Sequence, residues 1–195
     1  MLLYLSPGAC SLASHIALNE AGLAFEQVKV DLKNHRTALG DDFAKINPKG
    51  YVPALKFDTG EVLTENIAIL SWIGDQAEKL SPRDPISRYR LLEALAYIST
   101  EVHKSFKQLF SAEATEGVKA TARQAITKRL TFIAERLNQD YLLGPDFTVA
   151  DAYLFVMLTW AGKNGVSIPD PLVLYFERIK GRPAVRRSLE EEKLA

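Results

Sequence analysis

Asn47-Pro48-Lys49-Gly50-Tyr51-Val52-Pro53-Ala54-Leu55, followed by Thr64-Glu65-Asn66 at the start of a helical pattern, is the stretch on which the reading of this 195-residue chain turns. A proline leading into a short apolar strand donates nothing to a sheet ladder, so the backbone beside it is left open. An X-Pro bond adopts cis at a cost of about 0.5 to 1 kcal/mol, and a cis Val52–Pro53 bond is expected, with the Val52 amide and carbonyl facing outward. An extended ligand could pair with them. Glu65 offers a carboxylate to a ligand amine, while the unpaired amides of the next helix start, that of Asn66 among them, suit a ligand carboxylate. The stretch is therefore expected to grip the zwitterionic end of an amino acid or small peptide.

Outward from this stretch the first part of the chain alternates short apolar runs with helical periods. Leu2 to Leu5 reads as a strand, Ser11 to Ala21 as a helix closed by Gly22 in a left-handed cap, and Phe25 to Val30 as a second strand. Together they predict a βαβ unit, followed by a polar loop from Asp31 to Gly40. Ala54 to Phe57 and Glu61 to Leu63 flank Asp58-Thr59-Gly60, which predicts an antiparallel hairpin. A helix from Glu65 to Ala77 ends this part. The prolines at 82 and 85 break the pattern. Beyond them everything is helical: from Asp84-Pro85 to Phe110, Glu116 to Asn138, Val149 to Ala161, Pro171 to Ile179, and a short segment after Pro183. The expected domains are 1–77, an α/β unit, and 87–195, an all-helical unit, with 78–86 as linker.

Composition narrows the function classes. Basic and acidic residues balance at 24 each, so no global field draws nucleic acid or an anionic bilayer. No stretch approaches the roughly 20 apolar residues of a membrane span, and the N-terminus lacks a basic lead, so a cytoplasmic location is expected. Cys10 is the only cysteine, which excludes an internal disulfide and a Cys-x-x-Cys pair. Histidines at 15, 35 and 103 have no ligand spacing, and no metal is expected.

Thr148-Val149-Ala150-Asp151 predicts a capping box. The helix after it is apolar almost all round and must be buried, so Asp151 reads as structural. Cys10 precedes a helix start, where unpaired amides stabilise negative charge; an acidic thiol is expected there, against the alternative of an inert buried cysteine. His103 falls on a stripe with Leu92, Ala96, Ser99, Phe106 and Phe110, softer than the neighbouring stripe of Leu91, Leu95, Ile98, Val102 and Leu109. A core histidine with one satisfied bond and a cleft-facing proton donor or acceptor both fit that position. Phe106, Phe110 and Trp160 are candidates for an apolar pocket, whereas Tyr153 is assigned to core packing. His15 is expected to bond a neighbouring backbone group, and Lys104 and Lys107 to lie on a solvated face.

The order of these motifs resembles the cytosolic glutathione transferases. Within them, Tyr4-Leu5-Ser6-Pro7-Gly8-Ala9-Cys10-Ser11-Leu12, Ile46-Asn47-Pro48-Lys49-Gly50, Val52-Pro53, Leu63-Thr64-Glu65, Glu101-Val102-His103-Lys104 and the run from Phe147 to Phe155 resemble the bacterial beta class. The resemblance implies a thioredoxin-like N-terminal domain, an all-α C-terminal helical-bundle domain, and a homodimer. It further implies an enzyme that joins the thiol of reduced glutathione, a cosubstrate rather than a cofactor, to a hydrophobic electrophile. Cys10 and His103 would be catalytic. Ala9, Cys10, His35, Val52, Pro53, Glu65, Asn66, Thr100, Glu101 and His103 would meet glutathione, with Glu101 and His103 partly serving the neighbouring subunit. Phe106, Phe110 and Trp160 would receive the electrophile. Four positions depart from the class: His35 stands where a lysine usually meets the glycine carboxylate, Asn66 replaces a small residue, Ala96 an asparagine and Thr100 a serine. Weaker glutathione binding is the expected result. Two alternatives share these residues: a monothiol disulfide reductase acting through Cys10, and a non-catalytic carrier of apolar ligands.

Overall fold

The computed structural model describes residues 1–82 and 84–194. Arg83, inside the expected linker, and Ala195, the last residue of the expected helical unit, lie outside the described residues.

β1 (Leu2–Leu5), α1 (Ser11–Ala21) and β2 (Glu26–Asp31) form the expected βαβ unit, with β1 and β2 parallel and Leu3 opposite Gln27. Gly22 takes φ 70° and returns its N–H to the carbonyls of Leu18 and Asn19, a left-handed cap that glycine adopts without a Cβ clash. β4 (Ala54–Lys56) lies antiparallel on the other side of β1, and β5 (Val62–Thr64) completes the hairpin around Gly60. The segment read as a polar loop carries more structure than expected. β3 (Arg36–Thr37) pairs with the end of β2, and α2 (Phe43–Ile46) follows, its first turn capped by Asp42, which accepts the Ala44 N–H at 3.1 Å. Both elements are too short to show a period in sequence. The sheet order is β3-β2-β1-β4-β5.

Alternation along β1 divides the core into two layers. Tyr4 faces Val28, Val30, Phe43, Val52 and Ala54, its ring 5.8 Å from that of Phe43. Leu3 and Leu5 face the other way, into a cluster that runs through α1 and α3 (Asn66–Gln76) and on into the helical half. Each fully buried Leu or Ile contributes about 1.5–3 kcal/mol, so this layer ties the two halves together.

The helical half consists of α4 (Pro85–Tyr97), α5 (Lys107–Phe110), α6 (Glu116–Ala134), α7 (Val149–Lys163), α8 (Asp170–Lys180) and α9 (Pro183–Glu191). The single helix expected up to Phe110 is interrupted. After α4 the backbone widens into a π turn at Ile98–Val102, tightens into a 3-10 turn at His103–Phe106, and resumes as α5. Hydroxyls compete for the carbonyl ladder here: Thr100 donates to the Ala96 carbonyl at 3.0 Å and Ser105 to that of Glu101 at 2.6 Å. The same back-bonding by Thr121, Thr131, Thr159 and Ser188 leaves α6, α7 and α9 unbroken, so it does not account for the interruption by itself; π turns recur at functional sites. α6 stops at Ala134, short of Asn138.

α7 is buried continuously from Val149 to Leu158, and its start is satisfied internally. The Asp151 carboxylate accepts the Thr148 N–H at 2.7 Å, closing the capping box, and also takes the Thr148 hydroxyl, the Leu142 N–H and the Tyr175 hydroxyl. Burial nevertheless pushes its pKa above the usual carboxylate value, against those bonds. His15 departs from expectation: among the described residues its ring bonds no backbone group, and it lies fully buried between the carboxylates of Glu191 and Glu192. Among the described residues no helix is long and apolar enough to cross a membrane.

Candidate active site

The ends of β4, α1 and α3 converge on Val52. The Val52–Pro53 bond is cis. Buried Asn47 shapes the loop before it, donating its side-chain amide to the Tyr51 carbonyl at 2.7 Å and accepting the Lys49 N–H at 3.2 Å. Among the described residues the Val52 N–H donates to no turn or loop carbonyl. The Val52 carbonyl receives the Cys10 thiol, with Sγ at 3.4 Å.

Cys10 is the N-cap residue of α1, as its place before the helix predicts, yet its side chain caps nothing. The acidic thiol expected there is corrected by the structure. Burial pushes the Cys10 thiol up to about 12, outweighing the amides of Cys10 and Ser11 that lower it. Amides at a helix start are worth typically about 0.3–1 kcal/mol, less than the roughly 1.4 kcal/mol of a single pKa unit, so a half-buried apolar setting prevails. At neutral pH Cys10 is a hydrogen-bond donor.

Glu65 opens α3 with φ 71° and ψ 123°, a positive-φ pose that a non-glycine residue holds only where its surroundings enforce it. Its carboxylate turns away from its own helix. It accepts Lys49 Nζ at 2.5 Å and the Tyr51 hydroxyl at 2.6 Å, and these two hold its pKa below the usual carboxylate value. The first-turn amides of α3 are thus not capped by this side chain. Asn66 is buried and acts as a brace: its side-chain amide donates to the Cys10 carbonyl at 3.2 Å, and its Oδ1 accepts the Ser14 hydroxyl at 2.7 Å.

His103 stands on the 3-10 turn, its Nδ1 2.6 Å from the Tyr153 hydroxyl. Burial lowers its pKa, so the imidazole is neutral at pH 7, and burial raises the Tyr153 phenol, with Cys10 adding to the effect. The neutral pair fits Tyr153 donating to Nδ1, which leaves the proton on Nε2. Trp160 meets His103 edge-on, 5.0 Å between ring centres, and donates its indole N–H to the Gly8 carbonyl at 2.8 Å. One tryptophan thereby connects the histidine to the loop that carries Cys10. Phe110 is 55% exposed and lies edge-on to Trp160, whereas Phe106 is fully buried beneath both, a core residue instead of a pocket wall.

The remaining expected residues are placed as follows. Ala9 returns its N–H to Ser6 and packs against the Tyr4 cluster. His35, at φ 51°, sits against Gly50, where an added Cβ would come within 3.1 Å of its ring. Thr100 is exposed and bonded to its own turn, and Glu101 pairs with Arg129, with Oε2 3.1 Å from Nε. Within one chain neither of these two contacts the Val52 edge among the described residues.

The family model for the glutathione S-transferase N-terminal domain matches residues 1–75, and that for the C-terminal domain matches residues 91–183. The chain belongs to the glutathione S-transferase family. It is 42% identical to glutathione S-transferase GstA of Escherichia coli O157:H7 across 100% of both chains. Among solved structures it is similar to a sphingomonad glutathione S-transferase complexed with glutathione, at 45% identity, TM-score 0.93 and 100% coverage of both chains. The bacterial beta class glutathione S-transferase of Sphingomonas chungbukensis gives the same identity, TM-score and coverage.

In this glutathione S-transferase, sequence reasoning missed three groups that border the site. Lys49 and Tyr51 occupy the Glu65 carboxylate. Lys49 lies in the turn that the Gly50 N–H closes onto the Asn47 carbonyl, and Gly50 takes φ 76°, so no alternation in the sequence announces that Lys49 and Tyr51 share this carboxylate. Tyr153, assigned to the core, carries the hydroxyl that orients His103. Nothing in the local sequence marks it, because its partner is 50 residues away.

Proposed function

We infer that this glutathione S-transferase joins the thiol of reduced glutathione to a hydrophobic electrophile, glutathione being a cosubstrate and no cofactor taking part. The observation carrying this reading is that the Val52 edge is tied through Cys10 to Asn66 and through neighbouring Tyr51 to Glu65, beside the uncapped first turn of α3. The cysteinyl backbone of glutathione pairs with the Val52 N–H and carbonyl, beside Pro53. Its γ-glutamyl carboxylate meets the first amides of α3, that of Asn66 included, and its ammonium meets Glu65. To do so the ammonium shares or displaces Lys49, whose contact with Glu65 mimics that of the ligand. His35 and Ala9 border the tripeptide, and Thr100 and Glu101 approach it from a second subunit.

Cys10, holding its proton, donates to the glutathione sulfur and stabilises it as a thiolate, in place of the Val52 carbonyl that it contacts in the free chain. His103, neutral and oriented by Tyr153, exchanges a proton with the same thiol. The electrophile stacks on exposed Phe110 and the edge of Trp160. A disulfide reductase acting through Cys10 is the weaker reading, because exchange needs a thiolate that burial suppresses.

We further assign the chain a homodimeric state, a cytoplasmic location, and a division at residues 78–86 between units 1–77 and 87–195, with the first two residues of α4, Pro85 and Ile86, falling within that junction. The dimer reading is supported by Ile86 and Tyr89, each 65% exposed on α4, beside an apolar groove lined by Tyr97, Phe132 and Leu137.

Conjugation rates with a panel of aryl and alkyl halides test the assignment. Cys10→Ala and His103→Ala are each expected to lower kcat by about 10-fold or more. Unchanged rates in both variants would overturn the catalytic roles of Cys10 and His103.

A further inference from the structure

The C-terminal end of α9 reaches back to the loop that carries Cys10. The Glu192 carboxylate bridges two groups: Oε2 accepts the Gly8 N–H at 2.8 Å, and Oε1 lies 2.9 Å from Nδ1 of His15. Both side chains are fully buried, at 0% exposure. A carboxylate is costly to bury unless it is paired and hydrogen-bonded, and here each oxygen has a partner, which fixes the group in place. The other ring nitrogen of His15 is held by Glu191 Oε2 at 2.7 Å, and Gln27 donates to that same oxygen at 2.8 Å. The Gly8 carbonyl is taken by the Trp160 indole at 2.8 Å. Both polar atoms of Gly8 are therefore held by the helical half, two residues before Cys10. Gly8 itself takes φ 72°, and the Ala9 N–H closes onto the Ser6 carbonyl at 3.0 Å, so Ser6–Ala9 is a tight turn with few ways to move once Gly8 is fixed.

We propose that Glu192 is a positioning residue of the transferase site: held by His15, it grips the Gly8 N–H and so sets the Ser6–Ala9 turn and the place of the Cys10 sulfur against Val52. The inference rests on the reading of Cys10 and Val52 as parts of the glutathione site. A displacement of about 1 Å at a reacting group can cost about 100-fold in rate, so a buried latch outside the site can govern kcat.

The test uses the full chain and two readouts, conjugation kinetics and alkylation of Cys10 by iodoacetamide, which needs no glutathione. Ser188→Ala is the control. Ser188 docks α9 by accepting Asn19 at 2.8 Å and, among the described residues, its hydroxyl bonds only Asn19 and the Ala184 carbonyl, so its loss loosens the helix without releasing Gly8. Glu192→Ala is expected to speed Cys10 alkylation about 10-fold and to lower kcat about 10-fold, with KM for glutathione moving less than about 2-fold. Glu192→Gln, whose amide oxygen still accepts from Gly8, recovers most of both. Ser188→Ala changes neither rate. If Glu192→Ala does not fold, Glu192→Asp, one methylene too short to span Gly8 and His15, moves both rates in the same directions. Rates in the Glu192 variants equal to those of Ser188→Ala would overturn the proposal. Faster alkylation upholds the latch even where calorimetry finds no glutathione bound to the wild-type protein, a result that would instead remove the site reading.

Discussion

The starts of α3 and α7 are two helix N-termini with an acidic residue at each, and they are put to opposite uses. At α7 the Asp151 carboxylate folds back onto its own helix, takes four donors, and is sealed from water. At α3 the Glu65 carboxylate faces Lys49 and Tyr51 at the rim, its side chain 52% exposed, and caps nothing. A helix end closed by its own side chain is finished as structure, whereas one left open keeps amides for a ligand. α1 is a third case. Its N-cap residue, Cys10, sits among helix-start amides, yet its thiol is neutral because desolvation outweighs them. Open amides at a helix end favour an anion there, but dielectric decides whether a charge forms.

The sharpest way to break this contrast is to remove the two carboxylates in turn. Asp151→Ala strands the Thr148 and Leu142 amides and the Tyr175 hydroxyl in the core, and is expected to cost about 3–5 kcal/mol, or on the order of 10 °C in Tm. A thermal melt reads it. A Tm within about 2 °C of wild type would show that Asp151 is not the structural member of the pair. Glu65→Ala is expected to leave Tm nearly unchanged, since exposed ion pairs contribute about 0–1 kcal/mol, while weakening glutathione binding about 10- to 100-fold by calorimetry. The reverse pattern would merge the two sites into one class.

Two pH experiments sharpen it further, with smaller effects. The raised thiol pKa predicts that Cys10 alkylation climbs about 10-fold per pH unit from 7 to 10 with no plateau near 7. An inflection near pH 7 would restore the acidic thiol. The unfolded thiol ionises near its ordinary value while the folded one keeps its proton, so this group also lowers stability as pH rises above about 8.5. For His103 the signs are opposite. Its folded pKa lies below 6.5, so the imidazole stays neutral, and the step it serves persists, as pH falls past 6.5; the unfolded state gains the proton first, and stability declines between 6.5 and the folded pKa. A kcat profile falling already at pH 7 and absent in His103→Ala would contradict this.

Much of the fold was legible locally. Leu2–Leu5 as a strand, Gly22 as a cap, the hairpin around Gly60 and the Thr148-Asp151 box each depend on residues within a few positions of one another. Short elements such as β3 and α2 carry no period, and the π turn at Ile98–Val102 leaves no mark in the helical pattern that runs through it. The site was half legible. Val52, Glu65 and Cys10 stand out as candidates by type and place, but Lys49 on Glu65, Tyr153 on His103 and Asn66 as a brace required the folded chain.

By itself the sequence determined the βαβ unit, the Val52–Pro53 edge and the helix starts beside it, because proline, helix starts and capping boxes act over a few residues. Only the tertiary structure decided the state of those groups. It placed Cys10 where water is scarce, so that a thiol expected to ionise keeps its proton. It set His15 between two carboxylates from a helix more than 160 positions away. Charge depends on dielectric and on partners distant in the chain, and neither exists until the helical half has packed against the sheet.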